Sequence, residues 1–371
     1  MALTWIEISK SALLNNIAEY RRIVGRVKLM AIVKSNAYGH GIDTTAEVIN
    51  ENIDWFGVVN GAEAIHLRDL GINKPILVLS YYDEDLILEL IRKNISLAVY
   101  DTAMVNKIDS AARKLNTKAR IHLKVDTGTT RLGVFPVDLV ALTEEVKKRS
   151  NLELEGLFSH LSSSEDNEEY TNLQLNKFQE VVRNLEQEGY RIPLKHIACT
   201  ASATAFIESR FDLIRLGIGL YGLPSYKAST RSKIKKPNLI PALSWKAKII
   251  QVKKVPKGTY VGYGCTYKTK RQSLIAVLPV GYFEGYDRKL SNSGEVLVSG
   301  KKCPVIGRVC MNLLMVDVTK VKDVKVYEEA VLVGKQGQNS MTADDLAKKI
   351  GTINYEVVAR INPNIQRILT Q

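Results

Sequence analysis

The chain has 371 residues, 45% hydrophobic and 25% charged, with a formal net charge of +13. That length exceeds the size at which a single core usually stops growing, so two domains are expected; the composition is that of a globular protein, which excludes a disordered or membrane-spanning chain. No apolar run reaches spanning length. The start, MALTWIEISK, has no basic flank followed by an apolar stretch and a cleavage site, so a cytoplasmic location is expected. The positive excess is local: between Asp212 and Glu284 stand fourteen Lys or Arg and no acidic residue. Aromatic residues do not interleave with these cations, so the segment reads as a solvated basic face, or as a field drawing in anionic ligands, rather than as a nucleic-acid surface. The cysteines Cys199, Cys265, Cys303 and Cys310 form no C-x-x-C pair, which favours reduced thiols over a zinc site or disulfide framework.

In chain order, TWIEIS in the first ten residues reads as a strand with no place in the strand–helix alternation of residues 28–219, and is expected to join the C-terminal domain. Short apolar, β-branched runs come next as KLMAIVK, WFGVVN, PILVLS, ISLAVY, ARIHLKVD, LEGLFSH, KHIACT and LIRLGIG. Helically spaced stretches such as DEDLILELIRKN and NEEYTNLQLNKFQEVVRNLEQEGY lie between them. Eightfold alternation of this kind predicts a (β/α)8 TIM-type barrel over residues 1–230, with a doubly wound open sheet as the alternative. The basic, proline-containing stretch SYKASTRSKIKKPNLIP reads as the crossing between domains. Residues 231–371 read as a C-terminal mostly-β domain with strands at LSWKAKIIQVKKV, SLIAVLPVGY, GEVLVSG, CPVIGRV, LLMVDV and EAVLVG. One late helix, TADDLAKKI, should start at an N-cap Thr342 and stop at Gly351.

Barrel active sites lie at the C-terminal ends of the strands. Here those ends are polar: Lys34, Lys124 with Asp126, His160, Thr200 and Arg215. One lysine at a strand end is ordinarily a snorkelling surface residue, but several such groups on one face are not. A desolvated Lys34 amine could form a Schiff base, because low dielectric disfavours the ammonium ion. In RLGIGLYG, glycines after the eighth barrel strand could let backbone amides approach a phosphate, with Thr200 adding a hydroxyl. Lysine after the first barrel strand and a phosphate cradle after the seventh and eighth are what a pyridoxal-phosphate (PLP) site needs.

The segments VKSNAYGHG, VDTGTTRLGV, RLGIGLYGL, VGYGCTY, GYFEGYDRKLSNSGEVLVSGKKCPVIGRVCMN and INYEVVARI resemble, in order and spacing and from end to end, the alanine racemases. The resemblance implies a PLP enzyme interconverting L- and D-alanine and supplying D-alanine for peptidoglycan. It implies that Lys34 carries PLP, that Tyr38, Thr200, Gly217, Ile218 and Tyr355 bind its phosphate, and that His160 lies beside its ring. It places Arg215 at the pyridine nitrogen, where a permanently charged donor cannot readily hand over a proton. Racemisation needs a base on each face of Cα. Lys34 would serve one face, and Tyr263, from the other subunit of a head-to-tail homodimer, the opposite one. Arg131 and the Met311 backbone would bind the substrate carboxylate, and Lys124 occupies a position often carbamylated in the family.

Three departures bear on substrate range. Asn312 stands where the family usually has Asp, GYFEGYDR replaces GYADGYPR, and Cys199-Thr200 replaces Asn-Ser, with Ser202 as a second hydroxyl. A racemase admitting serine or other small amino acids is therefore one alternative. A PLP-dependent decarboxylase of basic amino acids is another; it would need no base at Tyr263. A PLP carrier protein would lack a second domain.

Overall fold

The computed structural model describes residues 2–225 and 236–371. Two compact units emerge, one of Leu13–Ser35 and Ala46–Ile240, the other of Met1–Ala12, Asn36–Thr45 and Pro241–Gln371. The expected boundary between 230 and 231, with most of the basic crossing stretch, lies outside the described residues.

Numbering the N-terminal strand Thr4–Ser9 as β1, the barrel strands are β2 (Lys28–Ile32), β3 (Trp55–Val58), β4 (Ile76–Val78), β5 (Ser96–Val99), β6 (Ala119–Lys124), β7 (Leu152–Phe158), β8 (Leu194–His196) and β9 (Leu213–Leu216). All eight sequence-predicted runs are strands. Among the described residues they form one parallel sheet in the order β8-β7-β6-β5-β4-β3-β2-β9. A parallel bridge between Cys199 and Arg215, with the Arg215 amide donating to the Ala198 carbonyl at 3.1 Å, brings the first and last strands of that order together as a barrel. The open-sheet alternative is thereby set aside. The strands are buried along nearly their whole length, as expected of a parallel sheet covered on both faces, and this is why they read as continuous apolar runs rather than alternating ones. The longest predicted helix forms as Glu168–Gln187, its start fixed by Asn167 accepting from the Tyr170 amide.

In the second unit β1 sits inside a sheet. It pairs antiparallel with Leu243–Lys248 and parallel with Arg367–Thr370. The predicted run LSWKAKIIQVKKV is two strands, Leu243–Lys248 and Gln251–Val255, in different sheets. The Ile249 amide bonds to Glu328 and the Ile250 amide to Val277, so the chain changes partners there without a turn residue to mark it. The helix Ala343–Ile350 has the predicted caps: Thr342 and Asp345 form a reciprocal capping box, and Gly351 closes it with φ 75°. A second short helix, Asn354–Ala359, stands beyond it where one late helix was expected; at six residues it is too brief to show a period. Among the described residues no helix is long and apolar enough to cross a membrane.

Candidate active site

Within the barrel unit, the strand ends carry a cluster of cations. Lys34 directly follows the buried Val33 after β2. Burial and the nearby Arg131 charge lower its pKa, and Glu63 partly offsets them. Glu63 itself spans two loops, accepting from the Ser35 amide at 2.6 Å and the Val59 amide at 3.1 Å. From Ser35 to Tyr38 the backbone turns left-handed, with φ of 55, 54, 52 and 53° at four consecutive non-glycine residues. Each such residue costs about 1–2 kcal/mol against a right-handed conformation. The Glu63 carboxylate on the first of these amides is one contact that holds the turn.

Lys124 ends β6, buried, its Nζ donating to the Leu79 carbonyl at 3.0 Å. Burial first, then Arg215 and Arg131, pull its pKa down to about 8. The loop after β6 is organised by Asp126. One of its carboxylate oxygens accepts from the amides of Gly128, Thr129 and Thr130, and the other from Arg131 at 3.0 Å. Those bonds outweigh burial and leave its pKa lowered. Arg131, exposed, projects from this stapled loop. His160 follows β7, and its pKa lies well below the usual histidine range through burial and then the charges of Arg215, Arg131, Lys124 and Lys34. That single imidazole is thus within electrostatic reach of all four cations.

Arg215 is buried, and its guanidinium is held by the carbonyls of Ser159 (2.7 Å), Ile197 (2.8 Å) and His196 (3.1 Å). It also reaches His196 Nδ1 at 2.9 Å and His160 Nδ1 at 3.3 Å. Thr200 opens a short helix after β8, and its Oγ1 accepts from the Gly217 amide at 2.9 Å. Ile218 begins the 3-10 turn Ile218–Tyr221. Lys34, Lys124, Arg131, His160, Thr200, Arg215, Gly217 and Ile218 all belong to this unit.

Tyr38, Tyr355, Tyr263 and Met311 belong to the other unit. There the rings of Tyr38 and Tyr355 lie 6.2 Å apart. Tyr263 is 72% and Met311 54% exposed. Tyr263 stands on a turn between Gly262 and Gly264. The Met311 carbonyl accepts from the Phe283 amide at 2.9 Å. Asn312 donates its amide to Glu284 at 2.9 Å, so two of the positions that depart from the family pattern contact each other. Sequence reasoning did not single out Glu63, His122, Glu155 or His196. A polar residue inside an otherwise apolar strand, as in ARIHLKVD and KHIACT, was the available signal for the two histidines.

Residues 8–225 match the family model for the alanine racemase N-terminal domain, and residues 242–369 that for the alanine racemase C-terminal domain. The alanine racemase of Methanococcus maripaludis is 40% identical over 98% of this chain and 98% of its own length. The solved structure of the Clostridium difficile 630 alanine racemase superposes with a TM-score of 0.93 at 33% identity, covering 100% of this chain and 96% of that one. A histidine racemase from Leuconostoc mesenteroides subsp. sake superposes with a TM-score of 0.91 at 30% identity, covering 100% of this chain and 98% of that one. With both domain models matched in order across nearly the whole chain, and a full-length relative at 40% identity, this chain belongs to the alanine racemase family.

Proposed function

We propose that this chain is a PLP-dependent alanine racemase, working as a cytoplasmic homodimer and supplying D-alanine for peptidoglycan. The observation that carries the PLP reading is the convergence of Lys34, Lys124, Arg131 and Arg215 on His160. Such a donor set suits a ligand with a phosphate and a substrate with a carboxylate, while burial first and then Arg131 leave Lys34 with a lowered pKa, as a nucleophilic amine requires. The fit extends to the phosphate end. A Cβ on Gly219 would come within 2.5 Å of the Tyr20 hydroxyl and 2.7 Å of Thr200, so only glycine lets that turn lie against Thr200. Ser202 is the weaker second choice, because its Oγ already accepts from the Cys199 amide at 2.9 Å.

In this reading Lys34 holds the cofactor, with Tyr38, Thr200, Gly217, Ile218 and Tyr355 at its phosphate and His160 beside its ring. Bound there, PLP withdraws electrons from the substrate and acidifies its Cα proton. Lys34 exchanges a proton with one face of Cα and Tyr263 of a second subunit with the other. Tyr263 is exposed enough in one chain to reach into another. Arg131 and the Met311 backbone orient the substrate carboxylate. Arg215 donates to the pyridine nitrogen and, being donor-only, keeps that nitrogen from acquiring a mobile proton. That limits electron withdrawal, shortens the life of the deprotonated substrate and suppresses transamination.

The test is to incubate the purified protein with L-alanine and follow D-alanine, then reduce the holoenzyme with borohydride and map the modified peptide. D-alanine and a pyridoxyl group on Lys34 are expected. Label on Lys124 or another lysine would overturn the assignment, and loss of carbon dioxide from a basic amino acid would favour a decarboxylase. Wider substrate range has one supporting observation, the histidine racemase of the same fold, and is read by offering L-serine and L-histidine in parallel.

A further inference from the structure

A line of polar groups, buried from Arg215 to His122 and ending on the partly buried Glu155, runs through the barrel, and the racemase reading uses only its first member. Arg215 on β9 donates to His196 Nδ1 at 2.9 Å. His196 Nε2 lies 3.1 Å from His122 Nδ1. His122 Nε2 lies 3.1 Å from a carboxylate oxygen of Glu155, which also accepts from the Ser96 hydroxyl at 2.5 Å. Both imidazoles are 0% exposed. Burial, with Arg215 beside it, holds His196 well below the usual histidine range, so its ring is neutral.

The proton positions along this line are fixed by what each group can offer. Arginine has donors only, so neutral His196 must accept at Nδ1 and carry its hydrogen on Nε2. His122 Nδ1 must then accept from His196. The His122 hydrogen is left on Nε2, facing Glu155, and an ionised carboxylate only accepts. Every contact agrees in direction. Reversing either ring would set an N–H against a donor at the Arg215 end, or a lone pair against the carboxylate at the other. The fold makes room for the line in two ways. The β6–β7 register shifts between Ile121 and His122, and Gly156 occupies a place where any Cβ would lie 2.3 Å from His122 Nδ1. The rings are also clamped, Phe158 stacking on His196 at 4.9 Å and Trp55 meeting His122 edge-on at 5.5 Å.

We infer that Glu155 is the anionic end of a relay, Arg215 to His196 to His122 to Glu155, that locks both imidazoles in the Nε2–H tautomer and fixes the Arg215 guanidinium. Glu155 is a positioning residue that acts through the other three. A buried guanidinium needs compensation for lost hydration. Three carbonyls give it dipoles, and the relay links it to a full negative charge. The tautomers rest on the contacts together with the neutral state of the buried His196 ring; the effect on catalysis rests on the proposed role of Arg215 at the cofactor.

The experiment is nitrogen-15 NMR of the histidine-labelled full-length holoenzyme without substrate, for wild type, Glu155→Gln and Ser96→Ala, with racemase kinetics on the same samples. Wild type should show His122 and His196 neutral with hydrogen on Nε2. Glu155→Gln should move the resonances of both His122 and the more distant His196, and lower kcat several-fold with KM for alanine unchanged. Ser96→Ala keeps the charge and should leave His196 in place. A hydrogen on Nδ1 of either ring overturns the relay, as does a Glu155→Gln change confined to His122, or unchanged kcat in that variant. The wild-type spectrum alone decides the tautomers if Glu155→Gln does not fold. Failure of the racemase reading would show instead as wild-type protein without activity and with these spectra intact.

Discussion

Lys124 illustrates a residue that costs the fold something and gives the site something. Folding lowers its pKa from 10.5 to about 8. Below pH 8 it is charged in both states and its burial is a penalty. Between pH 8 and 10.5 the folded state has released a proton that the unfolded chain still binds, so stability rises with pH, by on the order of 3 kcal/mol across that window. Urea unfolding at pH 7 and pH 10 should show this rise in wild type and a flatter profile in Lys124→Met. The same shift makes the neutral amine, the form that adds carbon dioxide, abundant near pH 8. Intact mass in bicarbonate should therefore gain one carbon dioxide at Lys124, and Lys124→Met should not. Glu63 gives a second expectation. Its charge raises the Lys34 pKa, so Glu63→Gln should shift the pH dependence of PLP capture by the cofactor-free protein to lower pH. It should also destabilise the protein by about 1–3 kcal/mol, because one amide donor then faces an NH2 group. Strand-end lysines and arginines were legible in the sequence because the barrel pattern says where strand ends point. Glu63, His122, His196 and Glu155 were not. Their meaning lies in contacts across 28 to 74 residues of chain, between elements whose adjacency exists only once the barrel forms.

At the scale of elements, the local signals with a mechanism behind them survived: eight buried strands, the long helix at Glu168–Gln187, and the Thr342 to Gly351 limits of the late helix. Thr342→Ala should cost about 1 kcal/mol of stability, read as a lower thermal midpoint, by removing the capping box. What failed was continuity. LSWKAKIIQVKKV looks like one strand because periodicity carries no mark of which sheet a residue joins. The left-handed turn at 35–38 was invisible for a similar reason, since Ser, Asn, Ala and Tyr carry no signal for positive φ in a row. The pairing of Asn312 with Glu284 makes a further expectation. Asn312→Asp sets two carboxylates face to face and should destabilise the protein, whereas adding Glu284→Gln should recover much of the loss. A double-mutant cycle with zero coupling would show that the pair is not in contact.

For the whole molecule, the proposed sharing of Lys34 and Tyr263 between two chains has an arithmetic consequence. Lys34→Ala and Tyr263→Phe homodimers should each be nearly inactive, yet a mixed dimer contains one site with both native residues. With random exchange, activity should return to roughly a quarter of wild type, half the dimers being mixed and each having one working site. Native mass spectrometry must show that heterodimers formed; heterodimers without activity would place Tyr263 within its own chain's site or outside catalysis. The unit that carries Tyr263 is assembled from three stretches of chain, and its strand β1 lies between Leu243–Lys248 and Arg367–Thr370. During synthesis β1 emerges first and both of its neighbours emerge only after the barrel. At ordinary ribosomal speed that interval is roughly ten to fifty seconds before the first neighbour appears. Through it, β1 has neither of the neighbours that cover its two edges in the folded chain, so it is a segment open to pairing with other chains until synthesis is nearly complete.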